Sequence, residues 1–222
     1  CVFTENTARE FGGAATLNGA EVTITDSTFT GNGITSECDS EWDCEDRGGG
    51  ALSVDGGHLT LDGVTISGNQ AGNCDGNMGM PPLSPAQCSG TGGALSAEDG
   101  AFVQLTDTMI TGNIAGVGGA LSGVEDAVFE LVGTTLEDNQ ATLFTPYNWG
   151  GMGGAIYLNH SSAELYTSQC RNNHSERPGG CIFAEESPFT IIRSELQENA
   201  ASSGGGFSAF AWDQAAPIFV ES

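Results

Sequence analysis

The sequence predicts an all-β protein, a parallel β-helix in which copies of one short repeat are stacked. Two observations support this fold. Nearly the same run of residues recurs, as "GGGALSVDGGHLTLDGVTISGN" at 48–69 and "GGALSAEDGAFVQLTDTMITGN" at 92–113. Within each run, apolar residues alternate with polar or small ones, which is the period of a β-strand. One unit is too short to bury its own apolar side, so neighbouring units must cover it.

Each repeat has a constant part and a variable part. From the second Gly of each Gly pair to the Asn that closes the unit, the distance is 19 or 20 residues. From that Asn to the next Gly pair it ranges from 5 to 23 residues. The constant part has room for three short strands rich in Thr, Val and Ile. We therefore predict one domain over 1–222 with about seven coils of roughly 25 residues. Three insertions, at 33–48, 70–91 and 140–152, would share one edge.

The Asn that closes each unit is predicted to form a ladder along the stack. A side-chain amide both donates and accepts, so it can bond its own turn and the amide of the next coil. Three positions earlier, most units have a Phe, Ile or Leu that we expect to point into the core. Asn and Gly also tolerate the left-handed backbone of a sharp corner. The ladder residues would be Asn6, Asn32, Asn69, Asn113, Asn139, Asn173 and Asn199.

The pairs "FTGN…GGGAL", "ITGN…GGAL" and "LEDN…GGAI" resemble the FxxN and GGA(I/L/V) motifs of the chlamydial polymorphic outer membrane proteins. The resemblance covers essentially the whole chain. It implies a right-handed parallel β-helix on a cell surface, often with an adhesive role. The chain departs from the motifs at Cys170, which occupies the apolar position, and at Cys181, which occupies the Ala position.

The charge of the chain restricts its partners. It has 29 Asp and Glu, five Arg and no Lys, which gives a net charge of −24. Such a chain repels nucleic acids and anionic membranes, and no run approaches the roughly 20 apolar residues that span a bilayer. The sequence begins at Cys1, within a repeat, and ends without an obvious cap. We therefore expect either continuation into further repeats or end-to-end self-association through open strand edges.

Seven cysteines lie in a pattern of local pairs. The spacings predict three disulfides, Cys38–Cys44, Cys74–Cys88 and Cys170–Cys181, and leave Cys1 over. Disulfides of this kind indicate an oxidising, extracellular environment. Zinc is the competing interpretation, but no pair has the C-x2-C spacing and the three His are scattered.

Function is expected in the insertions, because long loops on a rigid scaffold commonly carry binding sites. In the first, Asp39, Glu41 and Asp43 surround Trp42 and offer hard oxygen ligands for calcium. The alternative is a solvated acidic loop without metal. No other cofactor is predicted.

The other two insertions contribute apolar and aromatic residues. Met78 and Met80 lie in the second insertion, and Tyr147 and Trp149 lie in the third. With Trp42, these side chains could stack on sugar rings or fill pockets of a partner protein. The alternative is that they pack down onto the scaffold. The predicted partner is a protein or polysaccharide at a cell surface.

An enzymatic role is not predicted, and no catalytic residue is assigned. Polysaccharide lyases of this fold use Lys or Arg, whereas this chain has no Lys and its Arg residues are dispersed. A carboxylate pair for glycoside hydrolysis is left open by 29 acidic residues. Ice binding requires regular Thr-x-Thr rows, and Thr23 and Thr25 are followed by Thr60 and Asp62 in the next unit.

One further modification is predicted. Asn159 begins an N-x-S sequon between two strands, and it would carry a glycan if the source is eukaryotic. A second sequon begins at the ladder residue Asn173, which we expect to be buried and unmodified. Together, the patterns predict an extracellular or cell-surface structural or adhesive module, a candidate component of a filament or larger assembly.

Overall fold

The computed structural model describes residues 1–34, 48–72, 90–144, 149–212 and 217–221. Over these residues the chain forms 28 strands and no helix. A helix long and apolar enough to cross a membrane is therefore absent from the described part. The predicted all-β class is confirmed.

The strands are short and follow one another with the repeat. The first half comprises β1 (Val2–Thr4), β2 (Thr7–Ala8), β3 (Ala15–Asn18), β4 (Glu21–Thr25), β5 (Thr28–Thr30), β6 (Gly33–Ile34), β7 (Leu52–Asp55), β8 (His58–Asp62), β9 (Thr65–Ser67), β10 (Leu95–Glu98), β11 (Phe102–Thr106), β12 (Met109–Thr111), β13 (Ile114–Ala115) and β14 (Leu121–Val124). The second half comprises β15 (Val128–Val132), β16 (Thr135–Glu137), β17 (Gln140–Ala141), β18 (Leu143–Phe144), β19 (Trp149–Gly150), β20 (Ile156–Asn159), β21 (Ser162–Tyr166), β22 (Gln169–Arg171), β23 (His174–Ser175), β24 (Ile182–Glu185), β25 (Phe189–Ile192), β26 (Glu195–Gln197), β27 (Phe207–Phe210) and β28 (Ile218–Glu221).

Three parallel sheets of seven strands each take one strand from every successive repeat. The first sheet has the order β1-β5-β9-β12-β16-β22-β26, the second β3-β7-β10-β14-β20-β24-β27, and the third β4-β8-β11-β15-β21-β25-β28. Equivalent residues of the repeats lie in register, as Phe29 with Ile66 and Ile66 with Ile110. The chain therefore passes through the first, second and third sheets in turn and advances by one strand per repeat.

The core consists of the inward-facing residues of all three sheets. Along β8 the burial alternates, so that Leu59 and Leu61 are fully buried while His58 is half-buried. The predicted apolar position three before the ladder Asn is buried in Phe29, Ile66, Ile110 and Leu136, and Leu196 packs against the same core. Burial of one such side chain contributes about 1.5–3 kcal/mol. Since no single repeat encloses these residues, the stability of each unit depends on its neighbours.

The two glycines of each pair are required for different reasons. Gly92 has a φ of 60°, a left-handed conformation that costs other residues about 1–2 kcal/mol. Gly93 does not have a left-handed conformation, but a Cβ placed on it would lie 2.2 Å from the carbonyl oxygen of Gly119 in the next repeat. The same close approach recurs between the second glycines of successive pairs. The Gly pair is therefore explained by the packing of the stack.

The left-handed residue at the Asn corner is the residue before the ladder Asn. Gly31 and Gly112 have φ values of 64° and 65°, and Asp138 has a φ of 55°. We expected Asn or Gly to provide this conformation, and in some repeats an acidic residue does so instead. The ladder Asn residues themselves serve through their side chains.

The predicted Cys170–Cys181 disulfide is present, with the Cα atoms 6.1 Å apart. Cys170 lies in β22 at the apolar position of the repeat, and Cys181 precedes β24 at the Ala position. Both residues are fully buried. The disulfide thus takes the place of two core side chains and links one repeat to the next.

Replacing these cysteines by the residues usual at their positions should preserve the fold. We expect Cys170→Leu with Cys181→Ala to lower the free energy of unfolding by about 2–3 kcal/mol, the chain-entropy contribution of a short disulfide loop. Urea unfolding followed by circular dichroism measures this. In the Cys170→Ser, Cys181→Ser variant the free energy of unfolding should be lower by a further amount of about 1–3 kcal/mol, because this variant buries two hydroxyls. Equal stability of both variants would contradict the assigned core positions.

Candidate functional site

The ladder of Asn side chains runs beside the first sheet and fixes where the insertions begin. Asn113 is fully buried, and its backbone N–H and Nδ2 donate to Oδ1 of Asn139, at 3.1 and 3.0 Å. Its own Oδ1 accepts from the N–H and Nδ2 of Asn69, both at 2.9 Å. Nδ2 also donates to the carbonyl of Ile66. The same pattern links all seven predicted Asn residues from Asn6 to Asn199.

The connections that follow the Asn ladder form the insertion edge, which we define as the chain between each ladder Asn and the next Gly pair. Directly after the Asn, parallel bridges join Gly33, Gln70 and Ile114. Directly before the Gly pair, a second row joins Gly48, Thr91, Val117 and Met152. The three predicted insertions start in the first row and end in the second. They therefore all leave the scaffold along one strip, between the first and second sheets.

The backbone of this strip is tied together between repeats. The N–H of Gly116 donates to the carbonyl of Gly90 at 2.7 Å, and the N–H of Gly151 donates to the carbonyl of Gly116 at 2.6 Å. The N–H of Arg177 continues the row to the carbonyl of Gly151 at 2.7 Å. Hence the bases of the insertions are held in a fixed frame.

The third insertion contains an antiparallel hairpin stem. In it, Leu143 pairs with Gly150 and Phe144 with Trp149. Trp149 thus lies on strand β19, where its backbone pairs with that of Phe144. This position could not be read from the repeat, because Trp149 lies in the variable part of its unit, for which the other units give no template.

The remaining predicted residues of the insertions lie outside the described residues. For binding these are Trp42, Tyr147, Met78 and Met80, and for calcium they are Asp39, Glu41 and Asp43. The cysteine pairs Cys38–Cys44 and Cys74–Cys88 lie there too. Within the part of the chain that the structure describes, no three His, Cys, Asp or Glu residues are grouped so that they could hold a metal ion. Calcium at the acidic loop stays a prediction.

Asn159, the predicted glycan site, lies at a different corner, between the second and third sheets. It is half-buried, and its Nδ2 donates to Oε2 of Glu185 at 3.2 Å and to Oη of Tyr157 at 3.3 Å. The sequon hydroxyl, Ser161 Oγ, is buried and donates to the carbonyl of Asn159. His160 Nε2 lies 3.2 Å from Oε2 of Glu186, beside an open cleft of about 320 Å³. The ladder residue Asn173, which begins the second sequon, is fully buried.

The register of the third sheet brings together two carboxylates that the sequence did not single out. Glu130 on β15 pairs with Glu164 on β21, although 34 residues separate them. Gln104 Nε2 donates to Glu130, and the Tyr166 hydroxyl donates to Glu164 Oε2 at 2.8 Å. The hydrogen bond to Glu164, aided by the neighbouring negative charges, raises the pKa of Tyr166. Both carboxylates therefore contact adjacent side chains on an outward-facing surface.

This contact predicts a measurable change in the titration of Tyr166. Replacing Glu164 with Gln removes the charged acceptor, so the pKa of Tyr166 should fall toward the ordinary tyrosine value. The hydrogen bond stabilises the protonated phenol. Its contribution to the free energy of unfolding is therefore present below the ordinary tyrosine pKa and disappears as the pH rises through the raised pKa. Ultraviolet absorbance of tyrosinate, followed as a function of pH, measures the change. The Tyr166→Phe variant identifies the part of the titration that belongs to Tyr166. An unchanged titration would show that the two side chains do not interact in solution.

A second polar ladder was missed by sequence reasoning. At the corner between the third and first sheets, the N–H of Thr134 donates to Ser168 Oγ at 3.1 Å, and the N–H of Ser168 donates to Ser194 Oγ at 2.9 Å. Thr134 and Ser168 are buried. The sequence does contain a signal for this ladder, because most repeats have a Ser or Thr at the same position.

Comparison with models of known families, with curated proteins and with solved structures finds no match to this chain. The resemblance to the polymorphic outer membrane proteins therefore rests on the FxxN and GGA(I/L/V) motifs alone.

Proposed function

We propose that the three sheets are the faces of a right-handed parallel β-helix that serves as an extracellular or cell-surface structural and adhesive module. The right-handed sense follows the general preference for parallel strands joined by crossover connections. The proposal draws on the continuous Asn ladder and on the in-register parallel pairing of equivalent strands. The buried Cys170–Cys181 disulfide supports an oxidising location.

The adhesive part of the proposal depends on one observation, the departure of all three insertions from a single edge. Repeating scaffolds commonly vary the loops on one face and bind through them. The hydrogen-bonded strip of Gly90, Gly116 and Gly151 gives these loops an ordered base. A partner contacting this edge would meet several loops at once, which favours a large ligand such as a surface protein or a polysaccharide chain.

Trp149 is the side chain we expect to contribute most among the described residues of this edge. Replacement by Ala should weaken binding of the partner about thirtyfold or more, since an aromatic anchor of an interface contributes about 2 kcal/mol or more. Binding of the chain to glycan arrays and to cell-surface extracts identifies the partner class and measures the loss. Trp212→Ala is the matched control, because Trp212 is 74% exposed and lies outside the insertion edge.

Several outcomes separate the adhesive role from its alternatives. Equal loss of binding in both variants, or no ligand on any array, would contradict binding through this edge. Cleavage of a polysaccharide by the chain would instead favour an enzyme. Electron microscopy of material from its natural source tests the structural role, because a structural component should form regular filaments or sheets and an adhesin should be dispersed.

A further inference from the structure

The outer surface of the first sheet carries two columns of hydroxyl groups. The strands of this sheet direct their first and third residues outward and their central residue inward, which is fully buried in Phe29 and Ile66 and half-buried in Phe3 of β1. Over the four strands β1, β5, β9 and β12, six of the eight outward positions hold Thr or Ser. We call this set the hydroxyl face: Thr4, Thr28, Thr30, Thr65, Ser67 and Thr111.

The hydroxyl face is in strict register between repeats. Thr28 pairs with Thr65, and the second column runs from Thr4 through Thr30 and Ser67 to Thr111. Sequence comparison missed it, because it followed Thr23 and Thr25, which lie on the neighbouring third sheet. There, Asp62 interrupts the column. The Thr-x-Thr pattern is thus more regular on the first sheet.

The hydroxyls of this face are available to a ligand. Thr30 Oγ1 and Ser67 Oγ lie 3.1 Å apart. Among the described residues, the hydroxyls of Thr4, Thr65 and Thr111 have no hydrogen-bond partner. By contrast, the buried corner hydroxyls of Thr134 and Ser168 are bonded to backbone carbonyls.

The face is also uncharged in a chain of net charge −24. The two outward positions without a hydroxyl are Val2 and Met109. Charged side chains enter these columns only from β16 onward, with the Glu137–Arg171 ion pair, in which Nε and Oε1 are 3.0 Å apart. The six side chains of the hydroxyl face therefore offer no counter-charge to a polyanion, a polycation or a metal ion.

The spacing of the hydroxyl groups on this face is regular in two directions, as a repeating, hydrogen-bonding surface requires. Neighbouring parallel strands lie about 4.8 Å apart, and residues i and i+2 of a strand are about 6.6 Å apart. The β-branched Thr side chain has few χ1 rotamers, and the core residues behind β5, β9 and β12 are fully buried. Hydroxyls and methyls are therefore held in a two-dimensional net that can order the adjacent water layer. The spacing between strands is close to the shorter oxygen repeat of hexagonal ice, and the spacing along a strand is somewhat shorter than the longer one.

We propose that the hydroxyl face binds ice. This activity is independent of the adhesive role proposed for the insertion edge, because the two surfaces are formed by different residues. Ice crystals grown in the presence of the chain should show thermal hysteresis and slowed recrystallisation.

The test uses two matched substitutions in one repeat. Thr30→Lys places a charged, mobile side chain in the middle of the hydroxyl face, and Thr23→Lys places one on the third sheet; both Thr residues are exposed. We expect Thr30→Lys to abolish the hysteresis and Thr23→Lys to keep it. Circular dichroism and thermal unfolding establish that both variants are folded.

Three results would overturn the proposal. One is a folded wild-type chain without effect on ice, and another is equal loss in the two variants. The third is binding to an insoluble polysaccharide that Thr30→Lys abolishes, which would assign the face to a carbohydrate surface. The Trp149→Ala variant should retain full activity toward ice, so that failure of the adhesive proposal and failure of this one are distinguished.

Discussion

Replacing Gly93 with Ala is expected to lower the free energy of unfolding by about 4 kcal/mol or more, at the upper limit of single substitutions. A Cβ at this position would lie 2.2 Å from the Gly119 carbonyl oxygen and 2.7 Å from the Ile114 nitrogen. The Gly119 oxygen belongs to the backbone of the adjoining repeat, and the Ile114 nitrogen belongs to the backbone that closes the same repeat and donates to the Asn69 carbonyl. Neither atom can move without breaking the pairing of the stack. Urea unfolding followed by circular dichroism measures the loss, and failure to fold is its limiting form.

Gly112 provides the control for this prediction. Its φ of 65° is left-handed, but a Cβ added there would meet no atom within 4 Å. Gly112→Ala should therefore cost only about 1–2 kcal/mol, the strain of a left-handed non-glycine residue. Both substitutions restrict the unfolded chain alike, so the difference between them reports the native state. Equal losses would show that the close approach of Gly93 and Gly119 does not occur in solution.

The sequence predicted those features that every repeat has in common. Strands were visible because residues such as Leu59 and Leu61 alternate with polar ones, and the stack was implied because a unit of this length cannot cover them. The positions of the insertions followed from the constant distance between the Gly pair and the Asn. Each of these inferences compares equivalent residues within the chain, and the repetition averages out local exceptions.

The Asn ladder was predicted, but other features that depend on contacts between repeats were not. The pairing of Glu130 with Glu164 and the continuity of Thr4, Thr30 and Ser67 exist only once the register is fixed. Likewise, the left-handed conformation of Asp138 results from the sharp corner of the chain, and an Asp at this position does not by itself predict that conformation. The insertions themselves occur once each, so the repeat offers no template for them.

The Asn ladder should be strongly sensitive to a change of one atom. In Asn113→Asp, an oxygen replaces Nδ2, which donates to the Ile66 and Thr111 carbonyls and to Oδ1 of Asn139, at 3.0–3.1 Å. The carboxylate would face three acceptors in a fully buried site. An uncompensated buried charge of this kind costs about 3–5 kcal/mol. Urea unfolding at neutral pH should therefore show a loss of this size relative to the wild type.

The same variant should recover stability as the pH falls. Burial disfavours the charged form, and the protonated carboxyl regains one O–H donor, so the pKa of the introduced group is raised in the folded state. The penalty is therefore small below the unfolded pKa of Asp, about 3.9, and grows as the pH rises toward the folded value. The wild type, measured at each pH, accounts for the titration of the other carboxylates. A penalty independent of pH would contradict this account.

Two further substitutions separate charge from loss of the amide. Asn113→Ala introduces no titrating group, so its penalty, about 1–3 kcal/mol for each buried group left without a partner, should not change with pH. Asn199→Asp places the same carboxylate in the same ladder, but at a half-exposed position where water can solvate it. Its penalty should be smaller than that of Asn113→Asp and less dependent on pH. If the two Asp variants lost the same stability with the same pH dependence, burial would not explain the sensitivity of the ladder to a carboxylate. The Asn side chains would then stabilise each repeat separately.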